Sequence, residues 1–262
     1  MLLFKRILAF KKTDPGASDK RGAKRYAVGP KSQLKAKLSL PPRDGEGNLL
    51  PMGKHGPRDW GGQLANLSDS GVSIRLHPAA MAAKGDRCGL KIELDDKLFE
   101  LSATVAHFRI MPQYVACGLI LDFQDAYARK AYLQLMEPVV IGSTLEPVSS
   151  RVKQDLPGLV KEQYAGESET VLNLWRDAAG NPKLFELLVH DYAVRGNTEA
   201  PGTKVGYREG AKVAKSGSRP AIPVAIGPDH RAEVGRLFQL IVQNLGKGVP
   251  AETRKFLELF VV

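Results

Sequence analysis

The stretch Trp60-Gly61-Gly62-Gln63-Leu64-Ala65-Asn66-Leu67-Ser68-Asp69-Ser70-Gly71-Val72-Ser73-Ile74-Arg75-Leu76-His77 decides the fold. In its second half Val72, Ile74 and Leu76 fall on alternate positions, one face of an extended strand. Trp60 to Leu67 forms a second run. Between them Asn66 to Ser70 is rich in short polar side chains that bond their own backbone, which predicts a turn. Working outward, Gln33 to Leu40 alternates again, and Cys88–Leu94, Phe99–Ile110 and Tyr114–Leu121 read as further strands. Asp95-Asp96-Lys97 and Met111-Pro112-Gln113 read as hairpin turns between them. Five or six short strands with short turns predict a small antiparallel barrel. Asp125 to Met136, with Tyr127, Ala131, Leu133 and Met136 as its apolar face, is the expected closing helix, with Pro138 as its stop. The segment between Leu40 and Trp60 is dense in Pro and Gly and reads as a long loop.

The rest of the chain predicts a different unit. Residues 143–157 read as a linker, and 158–262 as a C-terminal α+β domain. Val171–Arg176 and Leu184–Val194 flank the turn Asp177-Ala178-Ala179-Gly180-Asn181-Pro182 and favour a hairpin, since helices so short are marginal alone. Lys204–Arg208 adds a strand, and Lys212–Pro223 reads as loop. Asp229–Leu245 is a helix with one apolar stripe through Val234, Leu237, Phe238, Ile241, Val242 and Leu245; Ala251–Phe260 is another helix. Such a stripe needs a cover: the hairpin, the barrel or a second chain.

Composition sets further bounds. The chain has 262 residues, 43% hydrophobic and 25% charged, which excludes fibrous and wholly disordered classes. Cys88 and Cys117 are too few for a disulfide framework and read as reduced core residues, implying a cytoplasmic protein. The net charge is +10. Residues 1–37 hold 11 Lys or Arg against Asp14 and Asp19, so +9 of that excess lies in the N-terminal segment. A basic segment implies an anionic partner. Residues 1–12, Met1-Leu2-Leu3-Phe4-Lys5-Arg6-Ile7-Leu8-Ala9-Phe10-Lys11-Lys12, form a basic N-terminal segment (1–18 in all) that reads as a short helix on the chain's own surface. A weak amphipathic membrane contact is its second reading.

Two constellations carry chemistry. Arg21 and Arg25 stand four apart around Gly22-Ala23-Lys24, just before the first strand. Two planar guanidinium forks suit phosphate and flat bases. Asn66 and Ser68 alternate, so they share a strand face and can hydrogen-bond a ring edge or phosphate oxygen. Gly71 then permits a left-handed backbone and a close approach by a ligand.

Together, Arg-x-x-x-Arg before the first strand and Asn-x-Ser-x-x-Gly between the next two resemble the PilZ family. The likeness runs from about Asp19 to Ile141 and includes the strand ending Gly118-Leu119-Ile120-Leu121-Asp122-Phe123. The resemblance implies a six-stranded antiparallel barrel with a closing helix (residues 19–142) that binds cyclic di-GMP. Arg21, Arg25, Asn66, Ser68 and Gly71 are then the ligand residues. Residues 13–32, rich in Gly, Ser, Pro, Asp and Lys, read as mobile when free and are expected to order around such a ligand. Asn66 stands where Asp is more frequent in the family. The long loop after Leu40 is a larger departure, placed so that it can partly cover the ligand face. No resemblance covers the C-terminal region, which is expected to pass the signal on, through a protein partner or self-association.

Catalysis has little support in the sequence. His55, His77, His107, His190 and His230 are scattered without metal-ligand spacing, no nucleophile elbow or phosphate loop is present, and Asp95-Asp96 reads as a hairpin tip. No catalytic residue, metal or cofactor is therefore expected. The alternative is a nucleic-acid-binding β-barrel using the basic segment. Such a surface interleaves aromatics with its charges, and Tyr26 alone stands near the Arg pair. No nucleic-acid partner is expected.

Overall fold

The computed structural model describes residues 24–51, 54–95, 97–200, 202–208 and 226–261. Arg21, residues 1–12, the rest of the lead-in up to Ala23 and the expected loop at 212–223 lie outside them. Two compact units divide between Glu137 and Pro138; Gly29–Lys31 belongs with the second unit.

The first unit contains β1 (Tyr26–Ala27), β2 (Lys35–Leu40), β3 (Arg58–Ser68), β4 (Gly71–Leu76), β5 (Arg87–Leu94), β6 (Lys97–Ile110) and β7 (Val115–Asp122). Their order is β1-β3-β2-β5-β6-β7-β4, all antiparallel. A further β3–β4 pairing closes the six long strands into a barrel, with β1 added outside β3. The alternation seen in the sequence fills the interior: Leu38, Leu67, Ile74, Leu90, Ile92, Val115 and Cys117 are fully buried. Cys88 and Cys117 are both free thiols. Burial pushes them up to about 11 and about 12, so they stay protonated and inert.

Two β-bulges interrupt the ladders. One lies between Leu64 and Asn66 on β3, the other between Val105 and His107 on β6. Each adds a residue, Ala65 or Ala106, so the next side chain switches face.

The loop after Leu40 is fastened down. Asp44 Oδ1 accepts the backbone N–H groups of Glu46 and Asn48, and Arg43 bridges to Leu49 across the turn. The Arg43 guanidinium grips Asp86 with Nη2 2.7 and 2.8 Å from its two carboxylate oxygens, both side chains being about nine-tenths buried.

Helix α1 (Ala126–Thr144) continues past Pro138, where a stop was expected. Proline removes one intrahelical donor and crowds the preceding turn, at a cost of about 3 kcal/mol. Leu135, Val139 and Ile141 on either side are fully buried, at roughly 1.5–3 kcal/mol each, and outweigh it. No helix among the described residues is long and apolar enough to cross a membrane.

The second unit is a six-stranded antiparallel sheet with two helices. In chain order its elements are β8 (Glu146–Pro147), β9 (Val160–Ala165), β10 (Val171–Arg176), β11 (Pro182–Val189), β12 (Tyr192–Asn197), β13 (Lys204–Tyr207), α2 (Pro228–Gln243) and α3 (Ala251–Glu258). The strands run β13-β12-β11-β10-β9-β8. The expected hairpin is present, but Leu184–Val194 is two strands, broken at His190, whose φ is 50°. Residues 143–157 are not a free linker. Thr144 ends α1, Glu146–Pro147 pairs with β9, and Asp155 accepts the Trp175 indole N–H at 2.7 Å. The α2 stripe finds its cover within this unit. Phe185 of β11 stacks on Phe238 at 5.3 Å and meets Phe256 and Phe260 edge-on, so the stripe needs no second chain.

Breaking the Arg43–Asp86 pair leaves a largely buried carboxylate without its countercharge, held among the described residues only by the Ala83 N–H. Arg43→Ala is expected to lower unfolding free energy by about 3–5 kcal/mol. Urea denaturation checks this, and a loss below 1 kcal/mol would show the loop to be merely resting on the barrel.

Candidate ligand-binding site

The β3–β4 connection is a two-residue turn, Asp69–Ser70, between the paired Ser68 and Gly71. Neither turn residue has a positive φ. The turn is therefore not one of the mirror-image types whose twist matches paired strands, and it needs outside support. Support comes from α1. The Tyr132 hydroxyl, fully buried, donates toward the carbonyls of Ser68 at 2.8 Å and Gly71 at 3.2 Å. Burial pushes the phenol well above its ordinary pKa, and the nearby Asp69 carboxylate adds to the rise, so Tyr132 remains a donor. The Ser68 hydroxyl donates to the Gly71 carbonyl at 3.2 Å, closing the turn from inside.

Gly71 has another role than expected. Its backbone is ordinary strand, without a positive φ. A β-carbon there would sit 2.7 Å from the Leu119 carbonyl oxygen, so glycine is required by the closeness of β4 to β7. Leu121 N–H also donates to the Ser70 carbonyl at 2.9 Å, tying the turn to β7.

The register lines up a row across the outer barrel wall. Ala27 pairs with Asn66, Asn66 with Ser73, Ser73 with Gly118 and Gly118 with His107. Asn66 and His107 each follow a bulge, and each is half-buried rather than inside. One rung further along lie Ser68, Gly71 and Ile120. The wall is slightly hollow there, with a cavity of about 170 Å³. Arg25, Asn66, Ser68, Gly71 and His107 line it together. Arg25 reaches it because β1 lies beside β3.

Four of the five residues singled out in the sequence thus share one depression, and the fifth, Arg21, lies outside the described residues. None of residues 41–51 or 54–57 lines it, so the described part of the long loop does not cover this face. Sequence reasoning missed His107, Ser73 and Tyr132. Counting alternate positions from Val105 puts His107 inside the barrel, and only the bulge at Ala106 turns it out. Among the described residues no group of three or more His, Cys, Asp or Glu is placed to hold a metal ion.

The chain matches no protein-family model and no curated protein. Among the described residues, the site offers the Arg25 guanidinium, an amide, hydroxyls and an imidazole around a shallow hollow that Gly71 and Gly118 also line.

Tyr132→Phe removes the support of the turn and leaves two carbonyls without that donor. The expected loss is about 1–3 kcal/mol of stability. Amide exchange at Ser70 and Gly71 should accelerate well beyond the rest of the barrel; unchanged exchange there would show that the turn holds itself.

Proposed function

We propose that the chain is a PilZ-like receptor for cyclic di-GMP, a binding protein rather than an enzyme, acting in the cytoplasm. The observation that carries this reading is the convergence of Arg25 with Asn66, Ser68 and Gly71 on one hollow, although 40 residues separate them in sequence. The ligand has two phosphates and two flat guanines. Arg25, with Arg21 from the lead-in, supplies charge for the phosphates and planar groups for the bases. Asn66 offers both a donor and an acceptor to a base edge. Ser68 donates within its own turn, and its lone pairs remain to accept from the ligand.

Signal transfer follows the chain. β1 belongs to the barrel unit, whereas Gly29, two residues beyond it, donates its N–H to Asn244 Oδ1 within the second unit at 2.9 Å. A ligand that draws in Arg25 pulls on a backbone anchored there. The downstream partner is then a protein that reads the second unit. The rival reading, a nucleic-acid surface, gains little from this hollow, where His107 is the one ring among the described lining residues.

Calorimetry with cyclic di-GMP, cyclic di-AMP and GTP tests the reading. Binding of the first at one or two per chain, with little response to the others, is expected; no heat and no thermal shift at micromolar ligand would overturn it. Arg21→Ala and Arg25→Ala should each weaken binding roughly 10- to 150-fold, since one charge-assisted contact is worth ~1.5–3 kcal/mol. Hydrogen exchange should change at Asn66–Gly71 and beyond Arg151 on binding. Changes confined to the barrel would mean that the second unit does not sense the ligand.

A further inference from the structure

His107 has an unusual seat. It lies directly across from Gly118 in the β6–β7 ladder. A β-carbon on Gly118 would overlap the imidazole at Cε1 and fall about equally close to Nδ1 and Nε2. The point therefore sits against the face of the ring, not its edge. Gly118 lies on the outer wall yet is buried, because the imidazole covers it. The ring is thus laid flat on the barrel with one face against the Gly118 backbone, and the side chain is among those that line the hollow. The bulge at Ala106 turns the side chain out, and the missing β-carbon of Gly118 lets it lie down.

The surroundings suit a flat, partly apolar group. Ile120, one rung along β7, is 57% exposed on the same wall, and Asn66 and Ser73 present polar groups in the same row as the ring. At about 170 Å³ the cavity lies well below the ~300–1,000 Å³ that encloses a drug-sized ligand. It suits one base rather than a whole dinucleotide.

We propose that His107 is a stacking platform for one purine base of the bound nucleotide, with Gly118 as its backing. This rests on the dinucleotide reading above. It adds a residue outside the two sequence motifs and assigns the hollow to a base, leaving the phosphates to the arginines of the lead-in. Aromatic rings stack on every base, so His107 contributes affinity while Asn66 and Ser73 contribute the choice of edge.

The test is calorimetry of the full chain with cyclic di-GMP, comparing native protein with His107→Ala, His107→Leu and His107→Phe, each checked by its melting temperature. Stacking predicts a loss of roughly 5- to 150-fold for Ala. Leu, which restores bulk without a π face, should be about as weak as Ala, while Phe stays within about threefold of native. Native affinity in His107→Ala, recovery by Leu, or failure of Phe would each overturn the stacking role while leaving the receptor reading intact. Failure of the native chain to bind would overturn both. His107 sits half-exposed outside the core, so its truncation leaves the barrel interior untouched.

Discussion

A barrel of six short strands has little freedom in which side chains it shows. Each residue faces in or out by parity, and one slip inverts everything after it. Here the inversion is used twice, on β3 at Ala65 and on β6 at Ala106. Before each bulge the parity serves the core, through Leu64 and Val105. After it Asn66 and His107 stand on the outer wall, in one row with Ser73 and Gly118 between them. The site exists because two strands flanking the β4–β7 pair are out of step by one residue each. The extra residues are both alanines, small enough to sit at a bulge without a demand of their own.

The second constraint is closeness. Gly71 and Gly118 are each surrounded tightly enough that a single methyl group would collide, with the Leu119 carbonyl in one case and the His107 ring in the other. Neither needs glycine for a left-handed backbone. At Gly118 the missing side chain makes room for the His107 ring, and at Gly71 for the backbone of β7. The turn joining β3 to β4 is held by the Tyr132 hydroxyl from the helix behind it. The rigidity of the site is thus supplied from the far side, by a residue that never faces the hollow.

Much of this was legible in the sequence. Strict alternation in Gln33–Leu40 and Gly71–His77 gave those strands directly, because each buries one face only. The hairpins at Asp95–Asp96 and Met111–Gln113 followed from turn chemistry, and the pairings Leu94 with Lys97 and Ile110 with Val115 agree, although Asp96 itself lies outside the described residues. What stayed hidden was non-local. A bulge leaves no mark when the inserted residue is alanine, so His107 read as one of five scattered histidines. Pro138 read as a helix stop because its local cost is visible while the burial of Val139 and Ile141 is not. Gly71 reads as a left-handed position, whereas it is an ordinary strand residue pressed against Leu119, almost fifty residues away. Residues 143–157 read as a linker because two-residue strands have no periodicity to detect.

Charge and shape are divided between two parts of the chain. Among the described lining residues of the hollow, Arg25 alone carries a permanent charge; the others are amide, hydroxyl, imidazole, glycine and aliphatic groups. The first 37 residues nevertheless hold +9 of the chain's +10. On the proposed reading, a dianionic ligand would draw its Coulombic attraction from the lead-in and its fit from the wall. The two contributions answer differently to salt. Attraction by exposed charges is screened within about 8–10 Å at ordinary ionic strength, whereas stacking on a ring packed against backbone is not. Under that proposal the choice of base would persist when affinity is tuned by the charges before it, because most of the charge and most of the fit sit on different segments of the chain, with Arg25 belonging to both.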